Sequence, residues 1–333
     1  MARRWKFRPD GSNWGDFGDD DQLGSLNYIT PGRVLAAVRE ITDGRAFCLS
    51  LPLDFPGGRV LAPHRFPPEL RPTQRNSRDY FNYSFRAEGF HDVGCDDAVT
   101  LCTQYSTQWD SFAHIGHEFD LDGDGVAEPC FYNGFRAGVE IVAPDRRGAG
   151  QAMALGIDAF AARPIQGRGV LVDLDRHYGR AKRTIGWAAL ERVLRTDRIQ
   201  VAPGDILCLR TGFSDELLAM DRAPDAERVH DMCCALDGSD QALLSWITDS
   251  RIAAVAADNY AVERIGHDKS AAAFVPLHHH CLFKRGIPLG ELWHLTELAT
   301  WLHAHGRHSF LLTAPPLRLP GAVGSPVTPV ATV

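Results

Sequence analysis

Residues 104–114 read QYSTQWDSFAH, with Gln104, Gln108, Asp110 and His114 set four, two and four positions apart. The run follows DDAVTLCT, so a strand that begins near Asp96 would carry into it. With the two-residue period of a strand, Gln104, Gln108 and Asp110 then point to the same side, together with Ser106 and Phe112. Such a face either converges on an ion or faces water, and this stretch alone leaves both open.

Around it the chain alternates helical and strand patterns. From Asn27 to Asp43 a helix is expected: Thr30 can cap it, Pro31 sits at its first position, and Gly44 follows. AFCLSLPLDF (46–55) and DDAVTLCTQYST (96–107) read as strands, as do GVLVDL (169–174), DILCLRTG (205–212), IAAVAAD (252–258) and SFLLTA (309–314). Helical patterns lie at IGWAALERVLRT, SDQALLSWITDS and GELWHLTELATWLHAHG. This order predicts an α/β protein with a mixed sheet packed by helices. We expect one domain over 1–333, with an elaborated N-terminal part over about residues 1–90. Within that part, Arg59–Gly89 is rich in Pro, Arg and aromatics and too long for a simple connection, so it is expected to be an ordered flap that helps to form a pocket.

Composition removes several classes of function. A net charge of −7 and a pI near 6.0, without any basic block, give a nucleic-acid partner no electrostatic support, so a small-molecule substrate is expected. No apolar run approaches the 18 or so residues of a membrane span. The N-terminal stretch MARRWKFRPDGSNWGDFGDD lacks the apolar segment of a secretory leader. The eight cysteines show no CxxC spacing and read as reduced thiols of a cytoplasmic protein.

Other motifs carry less than they suggest. DLDGDG (120–125) opens like a calcium-binding EF-hand loop, but its twelfth position is Phe131 where a bidentate Glu is needed. Cys233 and Cys234 have no activating neighbour in sequence. Of the triple histidine 278–280, an extended segment can aim at most one or two at one site. No nucleophile elbow, Walker loop or dinucleotide fingerprint is present.

QYSTQWDSFAH resembles the signature H-x-G-T-H-x-D-x-P-x-H of the cyclase family that includes kynurenine formamidase and isatin hydrolase. Matched on Thr107, Gln104 and Gln108 stand at the two leading histidines, Asp110 at the aspartate and His114 at the last histidine; Ser106 and Phe112 replace Gly and Pro. The family also has a His followed twelve residues later by a Glu, a spacing met here by His279 and Glu291 within HHHCLFKRGIPLGELWHL. DDQLGSLNYITPGRV, PGDILCLRTGF, ADNYAVE and APPLRLPGAVGSPVTPVA extend the resemblance over nearly the whole chain, toward longer members that read G-T-Q-W-D.

The resemblance implies a swivelling β/β/α-type fold, a homodimer or higher homo-oligomer, and a divalent-metal site. Carried over by position, it makes Asp110, His279 and Glu291 the metal ligands and His114 the acid/base group. Gln104 and Gln108 offer only neutral carbonyl oxygens, poorer partners than imidazole, so one Zn²⁺ or Mn²⁺ is expected in place of two, with Gln104 and Gln108 as weak metal ligands, as hydrogen-bond donors behind the ligands or as donors to a substrate carbonyl. The implied activity is hydrolysis of a cyclic amide, a lactone or an aryl formamide by a metal-activated water. The alternatives are a cyclase, dehydratase or isomerase without net hydrolysis, and a binding protein that has lost its metal. Trp109 and Phe112 are expected to contact an aromatic or cyclic substrate. His117 and His294 are weaker candidates for the site, and Asp258 and Glu263 for orienting its ligands.

Overall fold

The computed structural model describes residues 3–144, 150–265 and 273–333. Its centre is a nine-stranded mixed sheet: β1 (Ala46–Cys48), β2 (Gln108–Asp110), β3 (Gln166–Asp173), β4 (Ile206–Arg210), β5 (Ala254–Ala257), β6 (Leu289–Glu291), β7 (Ser309–Thr313), β8 (Gly324–Pro326) and β9 (Val330–Thr332). The spatial order is β1-β9-β7-β3-β4-β5-β6-β2-β8. Strands β3 to β6 run parallel, and antiparallel strands continue the sheet on both sides.

The parallel centre is legible in its side chains. Val170–Val172, Ile206–Leu209 and Ala254–Ala257 are buried throughout, as expected of strands covered on both faces. Helix α1 (Pro31–Val38) lies against β3 and β7, and Thr30 accepts from the Arg33 amide at its start, as its sequence predicts. Helices α2 (Trp187–Thr196) and α3 (Gln241–Ser250) pack together through the stacked Trp187 and Trp246, and α4 (Thr296–Ala304) precedes β7.

Three expectations need correction. Asp97–Thr100 pairs with Glu69–Pro72 in an exposed two-stranded arm, so the strand predicted from Asp96 does not run into the main sheet; only Gln108–Asp110 does. Glu291 ends a strand instead of opening a helix, and the helix begins five residues later at Thr296. The triple histidine is helical: Pro276–His278 form a short helical turn that passes into a π turn over His279–Lys284. All eight cysteines are unpaired, and among the described residues no helix is long and apolar enough to cross a membrane.

The seam that positions the site is the antiparallel contact of β2 with β6, where Gln108 faces Glu291, Trp109 faces Gly290 and Asp110 faces Leu289. Trp109 and Trp293 meet edge to face beneath it at 5.1 Å. A Cβ on Gly290 would sit 2.8 Å from Trp293 Nε1 and 3.0 Å from Trp109, so the strands approach only because residue 290 has no side chain. Gly290→Ala is expected to lower stability by about 1–3 kcal/mol through overpacking. A denaturant midpoint unchanged from wild type would contradict that account of the seam.

Candidate metal centre

Gln108 and Asp110 lie two apart on β2 and therefore share a face, as the strand period requires. Glu291, opposite Gln108 on β6, joins them. Gln108 Nε2 donates to Asp110 Oδ1 at 3.3 Å and to Glu291 Oε2 at 3.2 Å, bridging two buried carboxylates. Its own Oε1 has no hydrogen-bond partner, nor has Asp110 Oδ2.

The histidine that reaches this pair is His278, not His279. One residue along a helix turns the side chain by about 100°, so the two rings face different surroundings. His278 places Nε2 3.4 Å from Glu291 Oε1 and Nδ1 2.8 Å from Glu263 Oε1. His279 instead stacks on Phe283 and lies against the His117 ring at 4.3 Å, with burial and the neighbouring His117 charge pushing its pKa down to about 3. His280 meets the Thr248 hydroxyl. The twelve-residue spacing points to His279, whereas the fold brings His278 to Glu291; Pro276, which starts the helix, signals that the segment is not extended.

Asp110, His278 and Glu291 form one group whose ligand atoms all lie within 4.8 Å of one another. Burial opposes the charge on His278, but Glu263 and Glu291 overcome it and raise its pKa to about 10. Burial also works against the Glu291 carboxylate, yet the contact with His278 holds it below the usual range; Asp110 is pushed up, chiefly by burial. Glu263 further accepts the amides of Leu277 and His278, which fixes the start of the helical turn and the orientation of the ring together.

His114 enters from the turn after β2. Its Nδ1 lies 2.7 Å from Gln104 Nε2, and its Nε2 lies 4.0 Å from Asp110 Oδ1. Gln104 Nε2 also donates to Asp110 Oδ1 at 3.0 Å, which orients the amide. Burial holds the His114 pKa down, so the ring is neutral near pH 7. Gln104, His114, His278 and Glu291 line a mainly apolar cavity of about 440 Å³, walled on the far side by residues 56–65. The predicted flap thus does form part of a pocket, through its first residues, while much of the rest builds the exposed arm.

The remaining candidates fall elsewhere. Trp109 and Phe112 are fully buried and line no part of the cavity; Trp109 donates to the Ala314 carbonyl, and Phe112 packs on Tyr132 and Phe160. They support the site from beneath and are not substrate contacts. Asp258 accepts from Thr211 and Gly212, away from the cluster, and His294 lies 3.5 Å from Asp215. Asp120 is engaged by the amides of Gly123, Asp124 and Gly125, the pattern of a polar turn.

Backbone strain gathers beside the cluster. Ala261, Val262 and Leu292 all have positive φ, which is costly for a β-branched residue such as Val262. The strained turn is held by bonds from Leu236 and Asn259 to the Val262 carbonyl, and it lets the Ala261 amide reach Glu291. It also delivers Glu263 to His278.

These residues fit a divalent cation. Asp110, Glu291 and the imidazole backed by Glu263 supply the donors once a bound ion displaces the His278 proton, and Asp110 Oδ2 and Gln108 Oε1 are buried without hydrogen-bond partners. Addition of Zn²⁺ or Mn²⁺ should therefore raise the melting temperature of the wild-type chain. His278→Ala should abolish the rise and His279→Ala should retain it; the reverse pattern would refute the assignment.

Comparison with known proteins gives the family and the fold. A family profile described as "Putative cyclase" matches residues 47–264. A crystal structure described as a novel cyclase is 35% identical, with 97% of each chain covered and a TM-score of 0.77. Isatin hydrolase A from Labrenzia aggregata, bound to benzyl benzoate, shares the fold at 14% identity and a TM-score of 0.57, over 92% of this chain and 98% of that one. Isatin hydrolase A from Ralstonia solanacearum does so at 13% and 0.54, over 91% and 97%. No curated protein matches the sequence. The profile and the 35% identical structure together cover nearly the whole chain, which therefore belongs to the cyclase family.

Proposed function

We propose that the protein is a metal-dependent hydrolase that opens a cyclic amide or lactone, or cleaves an aryl formamide, in a small apolar or aromatic compound. The observation that carries this reading is the Asp110–His278–Glu291 group, whose His278 and Glu291 line the 440 Å³ cavity together with His114. The isatin hydrolases that share the fold, one of them bound to thioisatinate, favour a carbonyl substrate of this kind.

Asp110, His278 and Glu291 would hold one Zn²⁺ or Mn²⁺, with Gln108 Oε1 as a further donor once its amide turns. Two carboxylates, one imidazole and an amide oxygen lie nearer to the donor set that Mn²⁺ takes than to the nitrogen- and sulfur-rich sets of Zn²⁺. When bound, such an ion supplies a Lewis acid that polarises a carbonyl and lowers the pKa of a water from 15.7 to about 7.

The chain's own residues handle the proton. Because the Gln104 amide is oriented by Asp110, His114 Nδ1 accepts from it and the neutral ring carries its proton on Nε2. In that state His114 donates to a substrate oxygen or to the leaving nitrogen. If the Gln104 amide turns over, Nδ1 is protonated and Nε2 becomes the base that takes a proton from water. Gln104 thus selects the direction in which His114 moves a proton.

Reaction in heavy-oxygen water should place solvent oxygen in the acid product; a product without it would leave a cyclase, dehydratase or isomerase. His114→Ala should lower turnover by about 10²–10⁴-fold while leaving ion binding in place. Glu263→Gln should weaken the ion by about 10–100-fold, because it removes the carboxylate behind His278. A second reading, a metal-free binding protein, has one observation in its favour: Gln108 and a cationic His278 already partner both carboxylates. Chains purified without stoichiometric metal and active in excess chelator would end the hydrolase reading.

A further inference from the structure

Resting on that reading, we propose that Arg65 is an anion receptor in the cavity and that the substrate is an aromatic or apolar carbonyl compound carrying its own carboxylate. The walls are mainly apolar, with Leu61, Ile115, Tyr260, Phe274 and Leu292 among them. Against this lining stand two guanidinium groups, Arg59 and Arg65, while Glu291 is the one acidic residue of the described lining. The chain as a whole carries a charge of −7, so a wall that is basic departs from the rest of the protein.

Arg65 is half-buried and tied down by one end. Its Nη1 donates to the Gln104 carbonyl at 2.6 Å, and among the described residues no carboxylate lies within ion-pair distance of it. Arg180 and Arg210, by contrast, each contact three carboxylates. The Nε and Nη2 edge of Arg65 is thus left for a bidentate partner, the geometry in which guanidinium recognises a carboxylate. Its charge is felt at the reaction centre, where it helps to hold the pKa values of both His114 and Glu291 down. A substrate anchored there would present its carbonyl to the metal group, and the same tie to Gln104 links the anchor to the residue that sets the His114 tautomer.

The test is calorimetric binding of two ring-matched probes, phenylacetate and 2-phenylethanol, to the full chain, first treated with chelator so that no ion can receive the carboxylate. Phenylacetate should bind at least about tenfold more tightly, as one charge-assisted pair supplies. Arg65→Gln should erase the preference, and Arg65→Lys should keep part of it. Equal affinities in wild type, or a preference that survives Arg65→Gln, would overturn the proposal, as would an equal loss of both probes in both variants. With the divalent ion restored, homophthalate should outbind phenylacetate through Arg65, because the site then takes one carboxylate at each end. No gain from the second carboxylate would mean that Arg65 holds only an acid formed at the reacting carbonyl, against the proposal. Failure of the hydrolase reading would show instead as absent metal-dependent turnover, with the chelator-phase preference unchanged.

Discussion

Two carboxylates buried side by side are the constraint around which this protein is arranged. Removing an ion from water costs several kcal/mol even after relaxation, and placing Asp110 and Glu291 together adds repulsion to that cost. The structure meets it with the Gln108 amide between them, with His278 against Glu291, and with Glu263 behind His278. Each compensating group comes from a different part of the chain. Strands β2 and β6, the helical turn at 276–278 and the strained turn at 261–263 must all form before the whole set is satisfied.

The supporting layer follows from the same demand. Gly290 lets β6 approach β2, and Trp109 and Trp293 fill the space beneath. Thr107 ties the start of β2 to the Leu292 carbonyl and to the Leu51 amide. Arg65 and Tyr105 fasten the 56–65 wall to the segment that carries Gln104, the latter through its hydroxyl on the Gly58 carbonyl. Site and cavity wall are therefore one mechanical unit, and the reach of Arg65 into the electrostatics of His114 is a result of that connection.

Much of this is legible in the sequence. The apolar runs of β3, β4 and β5 announce strands of a mixed sheet, Thr30 and Pro31 announce α1, and the pattern through Gln108, Asp110 and His114 announces half of the site. What was not legible depends on tertiary packing. A period of two places Gln108 and Asp110 on one face, but Asp97–Thr100 obeys the same period in an arm remote from it. Adjacent histidines differ only in the direction they face, and direction depends on whether the backbone is extended or helical. Trp109 and Phe112 look like aromatic contacts for a ligand in a linear reading, yet both are core. A lone arginine in a Pro-rich flap acquires meaning only in the folded chain, where Arg65 lines the cavity and no carboxylate of the described residues lies within ion-pair distance of it.

The central claim, that Asp110, His278 and Glu291 are one cation site, is tested most directly by anomalous scattering from crystals of the full chain soaked in Mn²⁺. The account predicts a single peak bounded by those three side chains and Gln108. A peak beside His279 and His117, or none near Asp110, would contradict it.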